Sequence, residues 1–256
     1  MRLQLEYLKP ELGFRDQGVH HTIVVFGSTR LQDPELAHQC LVELEQAPGA
    51  DPDAVRRARA DLARSRYYEI GRDFGRLVGR RGTGPNDHRL VVMTGGGPGG
   101  MEAVNRGAYE VGAPSVGLNI ALPLEQEPNG YLTRELSFEF RYFALRKLHF
   151  MMRARALVAL PGGYGTLDEL FETLCLIQTG KRSPLPVVLV GESYWRKLVD
   201  FDFLVDEGMI DPEDLDLIEF AETAQGIWDC ILAWYQERHR SVFDLTDPDP
   251  EPGLLP

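Results

Sequence analysis

Short runs of consecutive apolar residues alternate along this chain with longer stretches in which apolar positions recur every three or four residues. The first run, TIVVFG (Thr22 to Gly27), is apolar at nearly every position rather than every second one, as in a strand covered on both faces. RLVVMT (Arg89 to Thr94), SVGLNIAL (Ser115 to Leu122), ALVAL (Ala156 to Leu160) and PVVLVG (Pro186 to Gly191) repeat the pattern, and LDLIEFAE supplies a last strand. SFEFRYF reads as strand or core. Helical periodicity fills the gaps: Pro34 to Arg80, broken at APGADPD, then GMEAVNRGAYEVG, ALRKLHFMMRA and QGIWDCILAWYQERH. This order predicts the α/β class, an open and mostly parallel sheet with helices on both faces. Neither a repeat nor a linker divides the chain, so one domain is expected over residues 1–244. The proline-rich acidic tail, 245–256, is expected to be disordered.

Charge narrows the partners. Acidic residues number 39 against 27 basic, a formal charge of −12, which repels nucleic acid and anionic membranes. Cys40, Cys175 and Cys230 are odd in number and form no C-x-x-C pair, so reduced thiols in a cytoplasmic protein are expected. The N-terminal MRLQLEYLKPELGF lacks the apolar core of a signal peptide, and no apolar run reaches the ~20 residues of a membrane span. His20 and His21 stand without metal-ligand spacing, and no metal site is expected.

The chemistry gathers in the turns. Three strands end in small residues: FGSTR, TGGGPGGMEA and PGGYGTLDE. In a parallel sheet their carboxyl ends share one edge, which suggests a single crevice. Gly95-x-Gly97-x-x-Gly100 is formally a dinucleotide fingerprint, yet the following strand leads to Pro123 where an acidic residue is needed, with Glu125 only beyond it. Its plain alternative is a tight packing turn. PGGYGT lacks the lysine of a P-loop, leaving a set of backbone amides suited to one phosphate. Thr166-Leu-Asp-Glu169 reads as a capping box, with Thr166 at the N-cap. The same spacing also puts a carboxylate about one turn from a bound phosphate, where the helix dipole favours its ionised form. Arg146 and Lys147 fit a solvated helix face or a phosphate-holding fork equally well.

Taken together, TGGGPGGMEAVNRGA, the R-K pair at 146–147 and PGGYGTLDE resemble the Lonely Guy (LOG) family of cytokinin riboside 5′-monophosphate phosphoribohydrolases. Older usage calls this family "possible lysine decarboxylase". The resemblance covers roughly Thr22 to Tyr235. It implies a Rossmann-like fold and a hydrolase cleaving the N-glycosidic bond of a purine nucleoside 5′-monophosphate, AMP or an N6-modified AMP, to free base and ribose 5-phosphate. It implies Arg146 and Glu169 as the catalytic pair. Substrate binding would fall to Ser28, Gly95, Gly96, Gly97, Lys147, Gly162, Gly163, Gly165 and Thr166. No cofactor is implied, and members are homodimers or larger assemblies. Two departures stand out: an inserted helical stretch at about 32–66, and FAL where compact plant enzymes have M-H-E before R-K. The alternative class is a non-catalytic nucleotide or phosphate-cofactor binding protein resembling molybdenum-cofactor carriers.

Overall fold

A computed structural model describes residues 1–121 and 127–244. The expected tail at 245–256, Pro123 and Glu125 lie outside the described residues. Seven strands form one sheet: β1 (His21–Phe26), β2 (Leu90–Thr94), β3 (Ser115–Ile120), β4 (Ser137–Phe140), β5 (Ala154–Ala159), β6 (Val187–Val190) and β7 (Ile218–Ala221). The helices are α1 (Arg2–Asp16), α2 (Pro34–Gln46), α3 (Pro52–Arg64), α4 (Arg66–Gly79), α5 (Gly100–Glu110), α6 (Phe143–Met152), α7 (Tyr164–Gln178), α8 (Glu192–Leu198), α9 (Phe201–Asp206) and α10 (Ala224–Glu237). Among the described residues, none of these is long and apolar enough to cross a membrane.

Every strand pair is parallel, in the order β4-β3-β2-β1-β5-β6-β7. The chain therefore works outward from β1 to β4, returns to the other side of β1 with β5, and works outward again to β7. That reversal makes the β1–β5 junction the topological switch point, the place where open parallel sheets bind ligands.

The buried runs alternate between two apolar layers. Val24 and Phe26 of β1 join Phe14, Phe150, Leu170 and Trp195 from α1, α6, α7 and α8. Ile23 and Val25 join Phe74, Val104, Ile227 and Trp228 from α4, α5 and α10 on the opposite face. Both faces of the strands are thus removed from water, which is why these sequences read as continuous apolar runs.

Three features depart from or go beyond the sequence pattern. Residues 2–16 form α1, held to the end of α6 by Arg153 Nη1 and Nη2 donating to Glu11 at 2.5 and 2.8 Å. The α4 and α5 helices touch backbone to backbone. A Cβ at Gly107 would lie 1.9 Å from the Arg72 carbonyl oxygen, and one at Gly75 would lie 2.1 Å from that of Val104. The insert at 32–66 is an ordered helical hairpin. Asp33 caps α2 through the Glu35 amide at 2.9 Å and pairs with Arg106 of α5 at 2.7 Å. Arg59 of α3 pairs with Glu45 of α2 at 2.7 Å, and Ala37 and Ala58 are buried.

Candidate active site

The three turns seen in the sequence meet at the backbone of Ser28. Its amide donates to the Pro161 carbonyl at 3.1 Å, and its carbonyl accepts from the Gly100 amide at 3.0 Å. Beside this junction, at the β1–β5 switch point, opens a cavity of about 850 Å³. The β1 turn lines one side through Ser28 and Arg30, and the PGGYGT turn lines another through Gly162, Gly163, Gly165 and Thr166. Arg146 and Glu169 also line it.

Helix α7 begins at Tyr164 with Gly163 as N-cap, and no side chain caps it. The capping-box reading is therefore corrected: Thr166 is the third residue inside the helix, not its cap. Glycine and tyrosine at the preceding positions already permit helical backbone, so the helix starts earlier than the threonine signal suggests. The threonine hydroxyl instead faces Gly162, where a Cβ would sit 2.0 Å from its Oγ1. Packing thus demands glycine at 162. At Gly163 and Gly165 an added Cβ would meet no atom within 4 Å. Among the described residues nothing requires glycine there, and both residues are exposed to the cavity. The first amides of a helix lack intrahelical acceptors, so this uncapped end presents free N–H groups to a ligand. Tyr194 of α8 fixes the turn from behind, its hydroxyl donating to the Gly162 carbonyl at 2.6 Å.

Glu169 follows on the same helix and is only 6% exposed. Burial raises its carboxyl to about 7, against the opposing pull of the Lys147 and Arg146 charges. Desolvation outweighs the helix dipole, which corrects the expectation of a simple ionised carboxylate. Among the described residues no group donates a hydrogen bond to it, so its oxygens are open to the cavity.

Arg146 is seated by three contacts. Its Nε donates to the Leu118 carbonyl at 2.7 Å, and its guanidinium lies 5.1 Å from the Phe150 ring centroid. The third is an absence of bulk: a Cβ on Gly95 would approach its Nη2 to 2.6 Å. Burial lowers its proton affinity while the Glu169 charge raises it. The two side chains sense each other as charges, yet no ion pair joins them.

The remaining expected residues lie elsewhere. Lys147 does not line the cavity. Its ammonium pairs with Asp168 at 2.8 Å and Glu172 at 3.0 Å, joining α6 to α7 on either side of Glu169. Gly95, Gly96 and Gly97 are buried behind the cavity rather than along it. Gly96, at φ +73°, presses against Asn119, and Asn129 donates to the carbonyls of Gly96 and Gly97 at 3.1 and 3.0 Å. The GGG turn thus seats Arg146 and closes the loop, while its helix contributes Met101 to the cavity wall. Two lining residues carry no sequence signal: Tyr194, and Arg64 at the end of α3 in the insert.

An open parallel α/β sheet, with an uncapped helix N-terminus and a buried carboxyl group at its switch point, defines the class as Rossmann-like. The family described as "Possible lysine decarboxylase" matches residues 101–231, half of the sequence, and the chain belongs to this family, the LOG family. It is 34% identical over 139 residues to cytokinin riboside 5′-monophosphate phosphoribohydrolase LOG3 of Arabidopsis thaliana, covering 53% of this chain and 63% of that one. It is 30% identical over 153 residues to the LOG1 enzyme of the same plant, covering 59% and 71% respectively. The match spans 60% of the probable rice enzyme LOG4 (Oryza sativa subsp. japonica), so the shared segment is well short of some relatives' full length. In structure the chain is similar to the molybdenum cofactor binding protein of the phototrophic bacterium Rippkaea orientalis. The TM-score is 0.51 at 14% identity, over 84% of this chain and 96% of that one, a likeness of fold alone.

Proposed function

We propose that this protein hydrolyses the N-glycosidic bond of a purine nucleoside 5′-monophosphate, AMP or an N6-modified AMP, to give free base and ribose 5-phosphate. The observation that carries this reading is a single cavity holding the open amides of α7 and, further along the same helix, the buried carboxyl of Glu169. A phosphate monoester on those amides hangs the sugar toward Glu169. Anchoring the remote phosphate uses binding energy to orient the reacting carbon.

Cleavage of this bond builds positive charge on the sugar. The ionised form of Glu169 faces that charge and takes one proton of the attacking water as the new C–O bond forms and the C–N bond breaks. The departing base takes the bond's electron pair and a proton from solvent, and Glu169 returns its own proton to solvent, so one water is consumed. A carboxyl near 7 suits a base working at neutral pH better than one near 4. Arg146, fixed by Leu118 and Phe150, sustains the ionised carboxylate through its charge. Lys147 does not serve as a Schiff-base amine in this reading: it is committed to two ion pairs, and no lysine lines the cavity.

The test is incubation with AMP, an N6-modified AMP and the matching nucleosides, with chromatography of the released base. Release from monophosphates that falls on the order of 10²–10⁴-fold in Glu169→Gln supports the hydrolase. Tight binding without release from any monophosphate overturns it in favour of a binding module.

A further inference from the structure

The PGGYGT turn offers amides but no cation, and the protein around it carries a net charge of −12. A dianionic monoester approaching such a surface is repelled unless the field is reversed locally. The cavity opposes it with arginines from three separate segments, Arg30 on the β1 turn, Arg64 at the end of α3 and Arg146 on α6, against the carboxyl groups of Asp168 and Glu169. Arg146 is occupied beside Glu169. The other two have no such commitment. Among the described residues Arg30 makes no ion pair, its amide alone bonding to Ser28 Oγ at 3.1 Å. Arg64, its side chain 49% exposed, pairs among the described residues with Asp61 alone, one turn back on its own helix.

Their position is built rather than accidental. Arg30 lies two residues beyond Ser28, whose amide is bonded to Pro161 at the root of the glycine turn. Arg64 is the last residue of α3, at the junction with α4. There the buried Ser65 closes α3 by donating its hydroxyl to the Leu62 carbonyl at 2.7 Å. The hairpin that carries it is locked to the body of the protein by Asp33 and Arg106.

We propose that the helical insert is part of the binding site: Arg64, together with Arg30, supplies the guanidinium groups that recognise the phosphate monoester on the α7 amides. A guanidinium matches phosphate with paired, charge-assisted hydrogen bonds, and a lone pairing with a part-exposed carboxylate on the same helix can be exchanged for such a ligand. The insert then acts as the cationic wall of the site that the turn itself lacks. This rests on the phosphate-binding half of the proposed function but not on its chemistry.

The experiment is therefore one of binding. Ribose 5-phosphate and inorganic phosphate are titrated calorimetrically into the full chain and into Arg64→Ala, Arg30→Ala and Arg64→Lys, with Arg57→Ala as control. Arg57 sits on the same helix, is exposed and lies outside the cavity. The expected result is a roughly ten-fold loss of ribose 5-phosphate affinity for each alanine variant, partial recovery in Arg64→Lys, and no change in Arg57→Ala. Adenine binding and melting temperature should stay at the parent value in all of them. Unchanged ribose 5-phosphate affinity in both alanine variants, an equal loss for adenine, or no binding by the parent protein overturns the proposal. Arginine-dependent binding without any base release from monophosphates would retain it while removing the hydrolase reading.

Discussion

Replacing Glu169 by glutamine should make the protein more stable, and the gain should depend on pH. The Glu169 carboxyl is raised from 4.5 to about 7, chiefly by burial, even though two nearby cations oppose the shift. For a group raised in the folded state, the favourable contribution is whole below the unfolded value and is lost as pH climbs through the folded one. Below pH 4.5 the side chain is therefore neutral in both states and costs nothing. Between 4.5 and 7 the folded protein holds a proton that the unfolded chain releases, and stability falls as pH rises. Above 7 the buried carboxylate is charged and the full penalty stands. At 1.36 kcal/mol per pKa unit this amounts to on the order of 3 kcal/mol. Glutamine keeps the shape and escapes the charge. Urea denaturation of both proteins at pH 4, 6 and 8 should show nearly equal stability at pH 4 and an advantage for Glu169→Gln at pH 8. Each kcal/mol should also appear as a rise of roughly 2–4 °C in Tm for a chain of this size. Equal stability at pH 8, or a variant less stable than its parent, would refute the view that desolvation governs this carboxyl. A gain in stability with loss of turnover is the usual signature of a side chain retained for chemistry rather than for folding.

Other outcomes follow from the same geometry. The kcat/KM for a monophosphate substrate should rise with pH through about 7 and then level off, since the ionised Glu169 is the working form; a profile falling across that range would contradict it. Gly162→Ala should destabilise the protein by about 1–3 kcal/mol through the clash with Thr166, seen as a lower Tm. Gly165→Ala, with open space around its new methyl, should leave Tm within a degree or two yet weaken phosphate binding measured by calorimetry. Tyr194→Phe removes the 2.6 Å bond to Gly162 and should cost about 1 kcal/mol of stability while raising KM more than it lowers kcat. Burial pushes the Glu11 carboxyl up, but the paired hydrogen bonds from Arg153 and the nearby His149 ring outweigh it and hold Glu11 down at about 2. Its contribution is present above pH 4.5 and fades as pH falls toward 2, so Glu11→Gln should flatten the acid limb of the stability curve.

The strands were legible because burial on both faces writes itself as unbroken apolar runs, and the glycine turns pointed to one edge of the sheet. The strand order that puts the switch point between β1 and β5 was not legible. Nor was α1, since Pro10 interrupts its pattern and its leucines at 3, 5, 8 and 12 remain exposed. Within the turn, T-x-x-E spacing suggested a cap at Thr166, whereas backbone freedom at Gly163 lets the helix begin earlier. The R-K pair gave no hint that its two members diverge, the arginine toward the cavity and the lysine toward Asp168 and Glu172. That split depends on which side of a ten-residue helix faces α7, a tertiary fact. Arg64 and Tyr194 were invisible for a related reason: each reaches the cavity from a segment far from the glycine turn in sequence, and neither lies in a motif.

The glycine-to-carbonyl contact between α4 and α5 bears on how a ligand gets in. With no side chains between them at Gly75 and Gly107, these helices form a keel that cannot slide or splay without tearing backbone from backbone. The two helices run parallel, with Tyr68 of α4 donating to Glu102 of α5 at 3.0 Å, so Met101 and Arg64 stand at the same end of this keel and travel as one body. Among the described residues the glycine turn is moored across the cavity wall by Ser28–Pro161 and Tyr194–Gly162. Those are two hydrogen bonds against a backbone-to-backbone seam, so any widening of the cavity would come at the turn rather than at the keel.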